Sequence, residues 1–104
     1  VPRRPRSVTD CNCSICRRYG VLWAYYTARQ VRIAGARSTE AYKWGRKALN
    51  FVRCKNCGCL VCWQRVKKSP ERKMGVNWRN FPLELVEKTR VRKLDGAKWG
   101  GESW

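Results

Sequence analysis

Five cysteines stand in two tight clusters. Cys11-Asn12-Cys13-Ser14-Ile15-Cys16 is a C-x-C-x-x-C, and Cys54-Lys55-Asn56-Cys57-Gly58 is a C-x-x-C-G. Thiolates bind zinc strongly, and ligands two or three residues apart converge on one ion from a single sharp turn. The second cluster reads as a zinc knuckle, with Gly58 giving the backbone room to turn behind its ligands. The first cluster offers three ligands close together. Three protein ligands leave one coordination position open, and an ion held in that way polarises a carbonyl or acidifies a bound thiol or water. Cys11, Cys13 and Cys16 are therefore candidate catalytic metal ligands, and Cys54 and Cys57 a candidate structural pair.

Cys59 and Cys62 follow the knuckle directly, so Cys54, Cys57, Cys59 and Cys62 offer four sulfurs in principle. In a strand, residues three apart point to opposite faces, and joint ligation would need a distorted strand. The simpler reading makes Cys59 and Cys62 small buried apolar residues. The odd total of seven cysteines argues against a disulfide framework. Their close spacing fits metal ligation in a reducing compartment, which points to the cytoplasm.

Other chemistries have less to work with. The chain has no histidine, which removes Ser/His/Asp and Cys/His catalysis from it. Asp10 beside Cys11 reads either as a hydrogen-bond acceptor or proton carrier for the first cluster, or as a turn residue. Glu40 and Glu71 have no spacing that suggests a carboxylate dyad, and no phosphate-binding glycine loop is present. The net charge is +17, from 24 Lys and Arg against seven Asp and Glu. Such a balance attracts an anionic partner, whether nucleic acid, an acidic surface or a small anionic substrate. The plainer alternative is a solvated basic surface. The positive residues scatter, with small clusters at 3–6, 67–73 and 88–93, a pattern that fits weak salt-sensitive nucleic-acid binding. Trp78-Arg79-Asn80-Phe81 is the candidate for exposed aromatics that stack on bases.

The elements that must position these residues are short. The 104 residues suit one domain, with 100–104 a loose tail. Residues 7–10 extend into the first cluster, and 14–19 form one or two helical turns stopped by Gly20. Strands are expected at 21–26, 31–33, 40–44, 49–53, 59–66, 74–78 and 91–94, punctuated by Gly35, Gly45 and Gly96. The strands on either side of the knuckle form a hairpin, and 67–73 is a charged loop around Pro70. Pro82 to Lys88 is the best helix, with Leu83 and Val86 spaced to share a face. No segment is long and apolar enough for a membrane span, and no signal peptide follows the basic start. The expected class is mainly β, built from small antiparallel sheets with one or two short helices.

Asp10-Cys11-Asn12-Cys13-Ser14-Ile15-Cys16-Arg17-Arg18-Tyr19-Gly20 resembles the signature of the glutathione-dependent formaldehyde-activating enzymes, also called the GFA or centromere-protein-V family. Arg53-Cys54-Lys55-Asn56-Cys57-Gly58 looks like the family's second motif. Met74-Gly75-Val76-Asn77 and Leu94-Asp95-Gly96 resemble weaker elements that follow it. The resemblance implies a β-tent fold around two zinc ions. Cys11, Cys13 and Cys16 would hold the catalytic one. Cys54 and Cys57 would hold the structural one together with two cysteines from an N-terminal C-x-C. The ten residues before Cys11 contain no such pair. Three explanations are open: the pair precedes this sequence, Cys59 and Cys62 replace it, or a partner chain supplies it. A missing first strand would leave an open edge, which favours a homodimer.

The implied activity is of carbon–sulfur lyase type. Glutathione would bind as thiolate and add to formaldehyde, giving S-hydroxymethylglutathione, or a related thiol adduct would react. Arg17 and Arg18 would attract the carboxylates of a glutathione conjugate, or form a solvated helix face. Trp23, Tyr25 and Tyr26 would line a pocket, or belong to the core. The alternative is a non-catalytic zinc-binding module whose basic surface binds nucleic acid or another polyanion.

Overall fold

Alternating apolar residues in the middle of the chain build a single sheet. The computed structural model describes residues 1–44, 49–67 and 70–94. The expected stop at Gly45, the centre of the 67–73 loop, the turn at Asp95-Gly96 and the 100–104 tail lie outside the described residues. The strands are β1 (Ser7–Cys11), β2 (Trp23–Thr27), β3 (Thr39–Trp44), β4 (Leu49–Cys54), β5 (Leu60–Arg65), β6 (Lys73–Asn77) and β7 (Arg90–Leu94). Their order across the sheet is β3-β4-β5-β6-β2-β1-β7. All adjacent pairs are antiparallel except β1–β7, which is parallel. The helices are α1 (Ser14–Tyr19) and α2 (Leu83–Lys88). The protein is thus mainly β, as expected, with one continuous mixed sheet rather than several small antiparallel ones. Among the described residues, no helix is long and apolar enough to cross a membrane.

The sheet buries side chains on both faces. Strand β2 shows why, since successive residues of a strand point to opposite sides. Ala24 and Tyr26 join Val8, Val52, Cys62, Met74, Val76 and Trp78 in one core. Trp23 joins Phe51, Leu60, Trp63, Val21 and the first three cysteines in a second core, with Tyr25 packed against it. Helix α2 and residues 28–33 cover the first core, and α1 belongs to the second.

Two expectations are corrected here. Val31 and Ile33 form no strand; they pack against the first core from a loop. The reason is local. Thr27 and Gln30 make a reciprocal capping box around a 3-10 turn at Ala28–Gln30, which ends the extended run. In α2, Leu83 does not share a buried face with Val86. Leu83 is 71% exposed, and Leu85 takes its place beside Val86. Trp78 fixes this orientation by donating from its indole to Thr89 Oγ1 at 3.0 Å, while Thr89 donates to the Leu85 carbonyl at 2.6 Å.

Candidate metal centre

The three clustered cysteines come from one tight reversal. Cys11 ends β1, Cys13 is the N-cap of α1, and Cys16 lies in its first turn. The helix starts immediately, with Arg17 N–H donating to the Cys13 carbonyl at 3.0 Å. It stops at Gly20, whose φ of 63° lies in the left-handed region that glycine adopts without penalty. Gly20 N–H and Val21 N–H both donate to the Cys16 carbonyl, at 3.0 and 3.4 Å. The Arg79 guanidinium caps the same end by donating to the Gly20 carbonyl. The α1 turn is thus tied to the 3-10 segment Trp78–Asn80 across the molecule.

This reversal brings the three sulfurs within 4.8 Å of one another, and all three residues are buried. Their surroundings are apolar and aromatic. Trp23 packs edge-on against Phe51, with ring centroids 5.7 Å apart and planes at 84°. Its indole N–H donates to Cys16 Sγ at 3.3 Å. Burial resists charge on any thiol, yet three neighbouring sulfurs can share one negative charge. Hydrogen bonds from the Cys11 and Cys16 thiols hold Cys13 well below the ordinary thiol range. The bond with Cys13 leads the causes that raise Cys11, and Cys16 is raised by its bonds to Cys11 and Cys13 and by burial. The cluster therefore favours a thiolate centred on Cys13, and it could hold a metal ion.

The second set of cysteines is arranged differently. Among the described residues, Cys11, Cys13 and Cys16 form the only group of three or more His, Cys, Asp or Glu close enough to share an ion. Cys54 and Cys57 flank the β4–β5 turn, where Gly58 has a φ of 76° and donates its N–H to the Cys54 carbonyl at 2.9 Å. The expected hairpin and its glycine are present. Cys59 is exposed and precedes β5, while Cys62 is buried in the first core. Cys62 is thus the small apolar residue anticipated, and Cys59 is not. The pair offers no four-sulfur site with Cys54 and Cys57.

Other candidate residues resolve singly. Asp10 is a strand residue and not a turn residue; it pairs with Lys93 at 2.6 Å across the parallel β1–β7 ladder. Trp23 and Tyr26 are core residues, and Tyr25 is half-buried. Trp78 is also core, 1% exposed and stacked on Phe81 with centroids 4.2 Å apart, so these rings present no stacking platform. Arg17 and Arg18 lie on the exposed side of α1.

One feature carried no sequence signal. A groove of about 530 Å³ runs between α1 and the edge of the sheet, lined by Ser14, Ile15, Arg18, Tyr19, Glu40 and Arg53 among others. Glu40 and Arg53 face each other in the β3–β4 ladder and form an ion pair at 2.7 Å. Ser14 is 1% exposed, and its hydroxyl has no hydrogen-bond partner among the described residues. These residues come from segments more than 10 positions apart, so no local pattern could have joined them.

No family model matches the sequence, and no curated protein matches it significantly. Among solved structures, the chain is similar to the crystal structure of a Rhodobacter sphaeroides protein studied as a structural-genomics target. The two are 26% identical, with a TM-score of 0.63, over 83% of this chain and 81% of that one. The likeness speaks to the fold.

Proposed function

We propose that Cys11, Cys13 and Cys16 hold zinc with an open coordination position, and that the protein acts on a small thiol adduct of the S-hydroxymethylglutathione type. The observation that carries this reading is the gathering of three buried sulfurs beside a groove. Thiolate donors select zinc among the common divalent ions. Sulfurs bound to one zinc at about 2.3 Å lie roughly 3.8 Å apart, which fits three sulfurs within 4.8 Å of one another. Zinc in such a site supplies a Lewis acid and lowers the pKa of a thiol.

The chain's own residues would do the rest. Ser14 and Ile15, between the second and third ligands, form part of the groove wall. A substrate lying there would touch Ser14 and Ile15, the chain neighbours of Cys13 and Cys16, and reach Arg18, while Arg53 is engaged by Glu40. Guanidinium groups match carboxylates in geometry and charge, so they suit the acidic ends of a glutathione conjugate. The Ser14 hydroxyl is a polar group awaiting a partner, and leaving it buried and unpaired costs about 1–3 kcal/mol. Trp23, by donating to Cys16 Sγ, orients one ligand.

The test is zinc analysis of protein purified without added metal, followed by NMR observation of S-hydroxymethylglutathione turnover. One zinc per chain is expected, lost in Cys13→Ser and kept in Cys57→Ser. Turnover above the spontaneous rate should disappear with Cys13→Ser. Absence of zinc in the wild type would overturn the metal assignment. Zinc without turnover would overturn the substrate assignment alone.

A further inference from the structure

A second cavity, of about 500 Å³, opens where the N-terminal segment meets β2 and β7. Its walls carry Arg3, Arg4, Arg6 and Arg92, with Tyr25 and Tyr26, and among the described residues no carboxylate. We propose that this cleft binds the phosphates of a single nucleic-acid strand.

Four guanidinium groups around one cavity repel each other, and an ordered fold keeps such a set together only when something fixes it. Here several contacts do. Arg92 stands opposite Thr9 in the parallel β1–β7 ladder, and its Nη2 donates to Thr9 Oγ1 at 3.2 Å. Thr9 is 1% exposed, so this anchor is rigid. The hydroxyl of Tyr26, a residue 5% exposed, donates to the Arg3 carbonyl at 2.6 Å and pins the N-terminal segment. Pro2 and Pro5 fix their own φ and hold the residues before them extended. The Arg92 side chain and the backbone at Arg3 are thereby held before binding, while the exposed Arg4 and Arg6 side chains keep their rotamer freedom.

Among the described residues, no carboxylate pairs with these four arginines. The ion pairs of the described residues engage Arg29, Arg53 and Lys93, and none involves a cleft arginine. The side chains of Arg4 and Arg6 make no hydrogen bond or ion pair with any described residue. Guanidinium binds phosphate oxygens in a bidentate fork, which makes phosphate the best-matched anion. A strand with successive phosphates satisfies four guanidinium groups more fully than one phosphate ion does. The net charge of +17 would draw such a polyanion from a distance. Tyr25 packs on the core that contains Cys11, Cys13 and Cys16, and Tyr26 belongs to the core on the other face, so the cleft is not confined to the metal-site side of the sheet.

The experiment is fluorescence anisotropy of a labelled 20-mer oligothymidylate titrated with the full chain between 50 and 300 mM KCl. It uses wild type, Arg4→Ala/Arg6→Ala, and a control, Arg37→Ala/Lys88→Ala, which removes the same charge elsewhere. The cleft variant should weaken binding about tenfold at 100 mM and lower the log–log salt slope by about 1.4, the share of two phosphates on a single strand. The control should lose no more than about threefold. Equal losses in both variants would assign binding to the diffuse field and overturn the cleft. Inorganic phosphate should displace the oligomer no better than KCl of equal ionic strength. Displacement by about 1 mM phosphate would overturn the strand and assign the cleft to a free phosphorylated ligand. Thermal melts of both variants should match the wild type. No step needs zinc or a thiol substrate, so failure here leaves the metal reading untouched, and the reverse also holds.

Discussion

Cys59 and Cys62 stand three residues apart, one exposed at a turn and the other 1% exposed inside the first core. Burial among Val52, Val76 and Met74 pushes the Cys62 thiol up from its ordinary 9.0 to about 12. Folded protein therefore keeps this proton where unfolded chain would lose it. That stability is complete below pH 9 and is lost progressively as pH rises from 9 toward 12. From pH 8 to 10 the loss from this one group is about 1.4 kcal/mol. Urea unfolding at pH 8, 9 and 10 should show that much less alkaline loss in Cys62→Ala than in wild type, whatever small cavity penalty offsets both curves. Parallel curves would mean that the thiol does not control the alkaline limb. The clustering of Cys11, Cys13 and Cys16 was legible because their spacing is local. The Trp23 bond to Cys16 was not, because it exists only after α1 has folded the chain back beside β2. Arg53 and Glu40 were hidden in the same way: they join the groove through strand pairing, not through proximity in sequence.

At the level of elements, punctuation was more legible than partnership. Gly20 and Gly58 turn the chain at positive φ where the sequence suggested, and most strands lie within a residue or two of their expected bounds. The parallel pairing of β1 with β7 had no signal, since it joins segments more than 80 residues apart. Gly75 had no evident purpose either. It lies opposite Trp63 in the β5–β6 ladder, and a Cβ built on it would sit 2.2 Å from the indole nitrogen. Trp63 is 9% exposed and confined by the second core, so the ring cannot simply swing away. Gly75→Ala should destabilise by about 1–3 kcal/mol through overpacking. Trp63→Leu removes the obstructing ring, so the same Gly75→Ala change should cost less than about 1 kcal/mol in that background. A double-mutant cycle by urea denaturation measures this coupling. Equal costs in the two backgrounds would show that Gly75 serves the strand for another reason.

Over the whole molecule, charge is the largest unbalanced quantity. Even if all seven acidic residues were paired, 17 of the 24 Lys and Arg would remain without a carboxylate. The ion pairs seen among the described residues are surface ones, such as Arg29 with Glu71, whose side chains are 68% and 70% exposed. Exposed pairs of this kind contribute about 0–1 kcal/mol each and weaken in salt. Repulsion among the surplus cations acts over longer distances and opposes the compact state. Its range shrinks from about 30 Å at 0.01 M ionic strength to about 10 Å at 0.1 M. Added salt thus removes a large repulsion and a small attraction together, and the repulsion decides the sign. Raising NaCl from about 10 to 300 mM at pH 7 should stabilise the fold by about 1 kcal/mol, raising Tm by about 4–8 °C. The same salt should weaken oligonucleotide binding, because that attraction depends on the unscreened charge. Differential scanning fluorimetry and anisotropy on one preparation would read the two trends together. A Tm that falls with salt would mean that specific ion pairs, and not the surplus charge, dominate the electrostatics of this fold.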